Sequence, residues 1–134
     1  MAEGFIVRRG GGNAELGQIS SFTVPGQDGE LYVTCEPGFT KLPNIIILRA
    51  GYCVVYTNSS SSGTYSVCQY LEYNPSTNRY TGELYYGPAS SSGHNSANVT
   101  YVPSLSGGTI ILTVQGYPKI RTGYPPKGTV GWFM

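Results

Sequence analysis

Residues 65–86 read Tyr65-Ser66-Val67-Cys68-Gln69-Tyr70-Leu71-Glu72-Tyr73-Asn74-Pro75-Ser76-Thr77-Asn78-Arg79-Tyr80-Thr81-Gly82-Glu83-Leu84-Tyr85-Tyr86. In an extended chain, alternate side chains share a face. Tyr65, Val67, Gln69, Leu71 and Tyr73 therefore line one side of a first strand. Tyr80, Gly82, Leu84 and Tyr86 form the matching side of a second. Between them lie Asn74, Pro75, Ser76, Thr77 and Asn78, five turn formers in a row. A connection of that length and chemistry joins neighbouring antiparallel strands. This stretch is the clearest hairpin of the chain, and it sets the expectation for the rest.

The same pattern continues on both sides. Ile19 to Val24 ends at Pro25-Gly26-Gln27-Asp28-Gly29 and predicts a hairpin into Glu30–Cys35, with Leu31, Val33 and Cys35 on one face. Ile45-Ile46-Ile47-Leu48 is apolar without alternation, as in a strand covered on both sides. Tyr52–Thr57, Asn98–Val102, Thr109–Val114 and Val130–Met134 add further short β-branched and aromatic runs. No window repeats apolar residues at helical spacing for three turns. Nine or ten short strands at intervals of about 8–12 residues predict an all-β fold, a single antiparallel β-sandwich of jelly-roll or immunoglobulin-like type. Gly10-Gly11-Gly12 separates residues 1–13, read as an extended N-terminal arm, from a β-sandwich domain over 14–134.

Composition narrows the function. The chain has 134 residues, a net charge of +1 and only 11% charged residues. Eight basic residues build no phosphate-tracking stripe, so no nucleic-acid partner is expected. No apolar run has the length of a membrane span, and the N-terminus lacks the order of a signal peptide, so no membrane association or secretion is expected. Cys35, Cys53 and Cys68 are widely spaced, without the close pairs of structural zinc sites. They read as reduced thiols, with no metal and no cofactor.

His94 lies in a Ser/Gly loop without a nucleophile elbow around it. Glu72 and Glu83 lie on adjoining strands of the hairpin, where two acids could approach as in a glycoside hydrolase. On an outward face they would instead be solvated charges. The expectation is that no residue is catalytic.

Twelve tyrosines are the enrichment with functional content. A tyrosine offers a flat apolar ring and a hydroxyl at low entropic cost on ordering. Tyr73, Tyr80, Tyr85 and Tyr86, with Asn74, Asn78 and Arg79, form the candidate ligand-binding group around the hairpin. Cross-strand aromatic pairing explains the same residues without a ligand. Phe5, Ile6, Val7, Arg8 and Arg9 of the arm, with Trp132 and Phe133 of the terminal strand, form the candidate assembly interface. Trp132 and Phe133 could equally fill the core of a monomer.

Three stretches resemble one family. Gly4-Phe5-Ile6-Val7-Arg8-Arg9-Gly10-Gly11 is similar to the start of small tail- or fibre-associated proteins of phages and prophages of Gram-positive bacteria. Gly38-Phe39-Thr40-Lys41-Leu42-Pro43-Asn44-Ile45-Ile46-Ile47 resembles the glycine, aromatic, Lys-Pro and apolar-strand pattern of their β-sandwich domains, although Leu42 here separates Lys41 from Pro43. Gly131-Trp132-Phe133-Met134 resembles their aromatic final strand. The resemblance implies a non-enzymatic virion structural protein of a tailed bacteriophage, a tail-fibre or baseplate component in host attachment, made in the host cytoplasm. A capsid decoration protein is the alternative within that class. A carbohydrate-binding lectin-like module is the alternative outside it, and a small glycan hydrolase is the enzyme alternative. Expected partners are other virion proteins, further copies of the chain as a homo-oligomer with a trimer favoured, and a host-surface glycan.

Overall fold

The computed structural model describes residues 18–23, 29–60, 62–87, 95–121 and 127–134. Nine strands occur among these residues, and no helix: β1 (Gln18–Thr23), β2 (Glu30–Thr34), β3 (Ile45–Tyr56), β4 (Ser62–Asn74), β5 (Arg79–Gly87), β6 (Asn95–Ser106), β7 (Thr109–Val114), β8 (Lys119–Arg121) and β9 (Lys127–Phe133). Every pairing is antiparallel, as expected of strands joined by short turns. The sheet runs β4-β5-β6-β7-β2-β1-β9-β3-β8, and β3 also pairs with β4. That additional pairing nearly closes the sheet into a barrel, which leaves few unpaired edges. The all-β class is thus as expected.

The hairpin of residues 65–86 keeps the predicted faces, with Val67 opposite Tyr86, Gln69 opposite Leu84, Leu71 opposite Gly82 and Tyr73 opposite Tyr80. Its turn is one residue shorter than read, because Asn74 belongs to β4 and pairs with Arg79. The β1–β2 pair is also as read, with Phe22 opposite Val33. The apolar run of β3 requires a correction. Ile46 and Leu48 are fully buried, whereas Ile45 and Ile47 are only half-buried on the outer face. Residues 45–56 also form one continuous strand, with an irregularity between Ala50 and Cys53. A bulge of this kind bends a strand and increases its local twist.

The core fills the inside of the curled sheet. Leu31 and Val33 of β2, Ile46, Leu48 and Val55 of β3, Leu71 of β4, Leu84 of β5, and Ile110 and Leu112 of β7 are all fully buried. The segment between β2 and β3 closes one end. Phe39 packs edge-on against Trp132, with ring centroids 5.0 Å apart, and its backbone N–H donates to Gly108 O at 2.9 Å. Gly38, at φ 131°, approaches Gly108 so closely that a Cβ there would stand 3.3 Å from the Gly108 Cα. Asn44 then ties the end to the terminal strand, donating from its backbone to Phe133 O and from its side chain to Met134 O, both at 2.9 Å. The segment from Gly38 to Asn44 is thus a strap across this end.

Candidate functional site

The tip of the β4–β5 hairpin organises itself through its own polar groups. The Asn74 side chain accepts from the Ser76 N–H at 2.9 Å, and its carbonyl accepts from Thr77 and Asn78 at 3.2 and 2.8 Å. Asn78 adopts φ 56°, a left-handed conformation that asparagine tolerates better than most residues. Its Oδ1 accepts from the Tyr73 hydroxyl at 2.8 Å. Arg79 folds back on the turn, donating to Thr77 O at 3.2 Å and Asn78 O at 2.9 Å, and reaches Gln115 Oε1 at 3.3 Å. Three of the candidate ligand-binding residues, Asn74, Asn78 and Arg79, therefore make the turn itself.

The four candidate tyrosines divide between the two faces of the sheet. Tyr80 is wholly inside, with its hydroxyl donating to Pro43 O at 2.7 Å. It was expected on a ligand-binding surface; its side chain is fully buried instead. Tyr73 is half-buried beside it, ring centroids 5.0 Å apart. Tyr86 is half-buried against Tyr65, at 5.1 Å and nearly perpendicular. These pairs are cross-strand aromatic contacts of the kind that stabilise a sheet. Tyr85 alone faces outward, 39% exposed, with its hydroxyl donating to Glu83 Oε1. That bond, and the negative charge of Glu83, push the Tyr85 hydroxyl above its ordinary pKa.

Sequence reasoning did not single out the inner polar pair of the barrel. Tyr101 of β6 is buried and donates to Gln69 Oε1 at 2.7 Å, across the intervening strand. Burial pushes the Tyr101 and Tyr80 hydroxyls well above the ordinary tyrosine range. Gln69 is fully buried, and its Nε2 has no hydrogen-bond partner among the described residues. The only signal in the sequence was a glutamine in the inward register of an otherwise apolar and aromatic row. The sheet is also tight beside this pair. A Cβ on Gly82 would meet the Tyr70 carbonyl oxygen at 1.8 Å, so β4 and β5 approach as only glycine permits.

The other candidates are placed as follows. Trp132, expected at an assembly interface or in the core, is buried in the core against Phe39. Phe133 is half-buried on the outside, opposite Ile45. Phe5, Ile6, Val7, Arg8, Arg9 and His94 lie outside the described residues. Glu72 and Glu83 are both exposed on the outer face, in diagonal register. Cys53 points inward, and burial pushes its thiol up to about 11. Cys35 is also raised, by burial first and then by the nearby Glu36 charge, against a lowering backbone hydrogen bond at Gly38. Among the described residues, no three His, Cys, Asp or Glu side chains gather as metal ligands. No helix among them is long and apolar enough to cross a membrane.

Among the described residues Tyr117, between β7 and β8, is 41% exposed, and Tyr70 and Tyr85 are 43% and 39% exposed on the outside of β4 and β5. Neither of the latter two lies at the hairpin tip. No protein-family model, curated protein or solved structure matches the chain.

Proposed function

We propose that this chain is a non-enzymatic structural protein of a tailed-phage particle, of tail-fibre or baseplate type, acting in host attachment. The observation that carries this reading is the outer face of β4 and β5. There the two acids stand open to solvent beside exposed Tyr70 and Tyr85 instead of facing each other across a cleft. Glycoside hydrolysis needs two carboxyl groups flanking a bound sugar. An outer face with exposed aromatic rings suits contact with another protein surface in a particle. The three resembling stretches support the same class; the second covers the strap and the start of β3, and the third lies at the end of β9. We read the two halves of the sheet, β3-β4-β5-β6 and β7-β2-β1-β9, as the facing layers of a sandwich.

Immunogold electron microscopy tests the assignment, using antibodies against the chain on particles from cells that carry its gene. Label at the tail tip or baseplate is the expected outcome. Label over the head would make the chain a decoration protein. Particles without label, together with saturable binding of the purified chain on a glycan array, would replace the virion role with a lectin role.

A further inference from the structure

Two neighbouring rows on the outer face define a self-complementary surface. The strand registers place Ile47 beside Tyr70 and Tyr70 beside Glu83. In the next row, Arg49 lies beside Cys68 and Cys68 beside Tyr85. Arg49, Tyr70, Glu83 and Tyr85 are exposed, and Ile47 and Cys68 half-buried. The base and the acid occupy opposite corners of the patch. They are two strands and two residues apart, about 12 Å between Cα atoms at ordinary sheet spacings, too far for the pair to close well within one copy. No ion pair or hydrogen bond engages the Arg49 side chain among the described residues.

We infer that this face is the contact between two copies of the chain, related by a twofold axis along the Ile47–Tyr85 diagonal. Such an axis carries Arg49 of one copy over the partner's Glu83, and Glu83 over the partner's Arg49. The same rotation stacks the aromatic and apolar centre on itself, as an isologous contact requires. Aromatic anchors at the centre and charges at the rim are the usual anatomy of such an interface. Cys68 then lies close to the axis, facing the partner's Cys68. This contact is twofold, in contrast to the threefold assembly expected from the fibre resemblance. It forms in the isolated chain whether or not that chain belongs to a virion.

Charge exchange tests the pairing. Sedimentation equilibrium of the full chain over a concentration series should show a monomer–dimer equilibrium. Arg49→Glu and Glu83→Arg each place like charges opposite one another and should weaken the dimer about tenfold or more. Combining them restores opposite charges, and the dissociation constant should return to within about threefold of wild type. Far-UV circular dichroism confirms that each variant is folded. A short bis-maleimide should join two copies in the wild type and in Cys35→Ser but not in Cys68→Ser. A chain that stays monomeric throughout, an oligomer indifferent to both charge reversals, a double variant no better than the singles, or a cross-link that survives Cys68→Ser would each overturn the inference.

Discussion

On the inside of β5, the hydroxyl of Tyr80 ends on the carbonyl of Pro43, and its ring rests against Tyr73. On the outside of the same strand, the ring of Tyr85 stands in solvent, and its hydroxyl leans on Glu83, which is itself exposed. The residue type is the same, and five positions separate the two. Inside, a tyrosine hydroxyl must find a fixed acceptor, because an unpaired buried polar group is costly. Each buried tyrosine therefore locks one element to another: Tyr80 holds the strap, and Tyr101 holds β6 to β4. Outside, water satisfies the hydroxyl, and the ring is left for contact. Tyrosine enrichment alone does not indicate binding; the parity of the position decides.

Alkaline pH should separate the two faces most sharply. Cys53, Tyr80 and Tyr101 are all held neutral by burial. Below their unfolded values, 9.0 for the thiol and 10.0 for the hydroxyls, both states are neutral and stability is complete. Above those values the unfolded chain loses protons that the folded chain retains, so stability falls as pH rises. The urea midpoint should decline from about pH 9, where the thiol begins to ionise, and more steeply above about pH 10. Tyrosinate absorbance should show Tyr80 and Tyr101 ionising only as the fold is lost. A midpoint that stays flat to pH 11 would contradict the burial of all three.

The next contrast lies within the terminal strand. Trp132→Ala removes an indole packed against Phe39 and should cost about 3–5 kcal/mol. Phe133→Ala, one residue on and facing outward, should cost clearly less. Denaturant unfolding of both variants checks the order. Equal costs would mean that the outer face is as well covered as the core.

A smaller effect tests the inner polar pair. Tyr101→Phe leaves Gln69 Oε1 without its donor and should cost about 1–3 kcal/mol. Gln69→Met in the same background removes the remaining buried amide, including the unpartnered Nε2. The double variant should recover most of that loss or exceed wild type. Additive losses would show that the glutamine contributes in some other way.

The smallest effect belongs to the outer hydroxyl. Tyr85→Phe should change stability by no more than about 0.5 kcal/mol, since an exposed bond competes with water. A larger loss would place Tyr85 among the structural tyrosines.

The hairpin was legible because its alternation is strict and its turn chemistry explicit. Period two placed Val67, Gln69, Leu71 and Leu84 correctly, and it also puts Tyr85 on the face opposite Tyr80 and Tyr86. Grouping the tyrosines by nearness in sequence obscured that division. The run Ile45-Ile46-Ile47-Leu48 misled because a half-buried outer face accepts isoleucine as readily as a core does. Nothing local to β9 indicates that it lies between β1 and β3, because that placement depends on partners distant in sequence. The strap from Gly38 to Asn44 was visible as a loop, but its role as an end-closure depends on Gly108 and Phe133, which no local pattern could connect to it.

The position of β9 also bears on how the molecule comes into being. Its residues leave the ribosome after those of the other eight described strands, yet they pair on one side with β1 and on the other with β3. Until they emerge, a nascent chain that has already formed β1–β2 and β3–β4 presents two open strand edges. Such edges invite pairing with other chains. The step that removes them joins partners far apart in sequence, and pairings of that kind are slow. The growing polypeptide is thus most vulnerable to aggregation just before β9 emerges, and holdase chaperones would act on it at that stage.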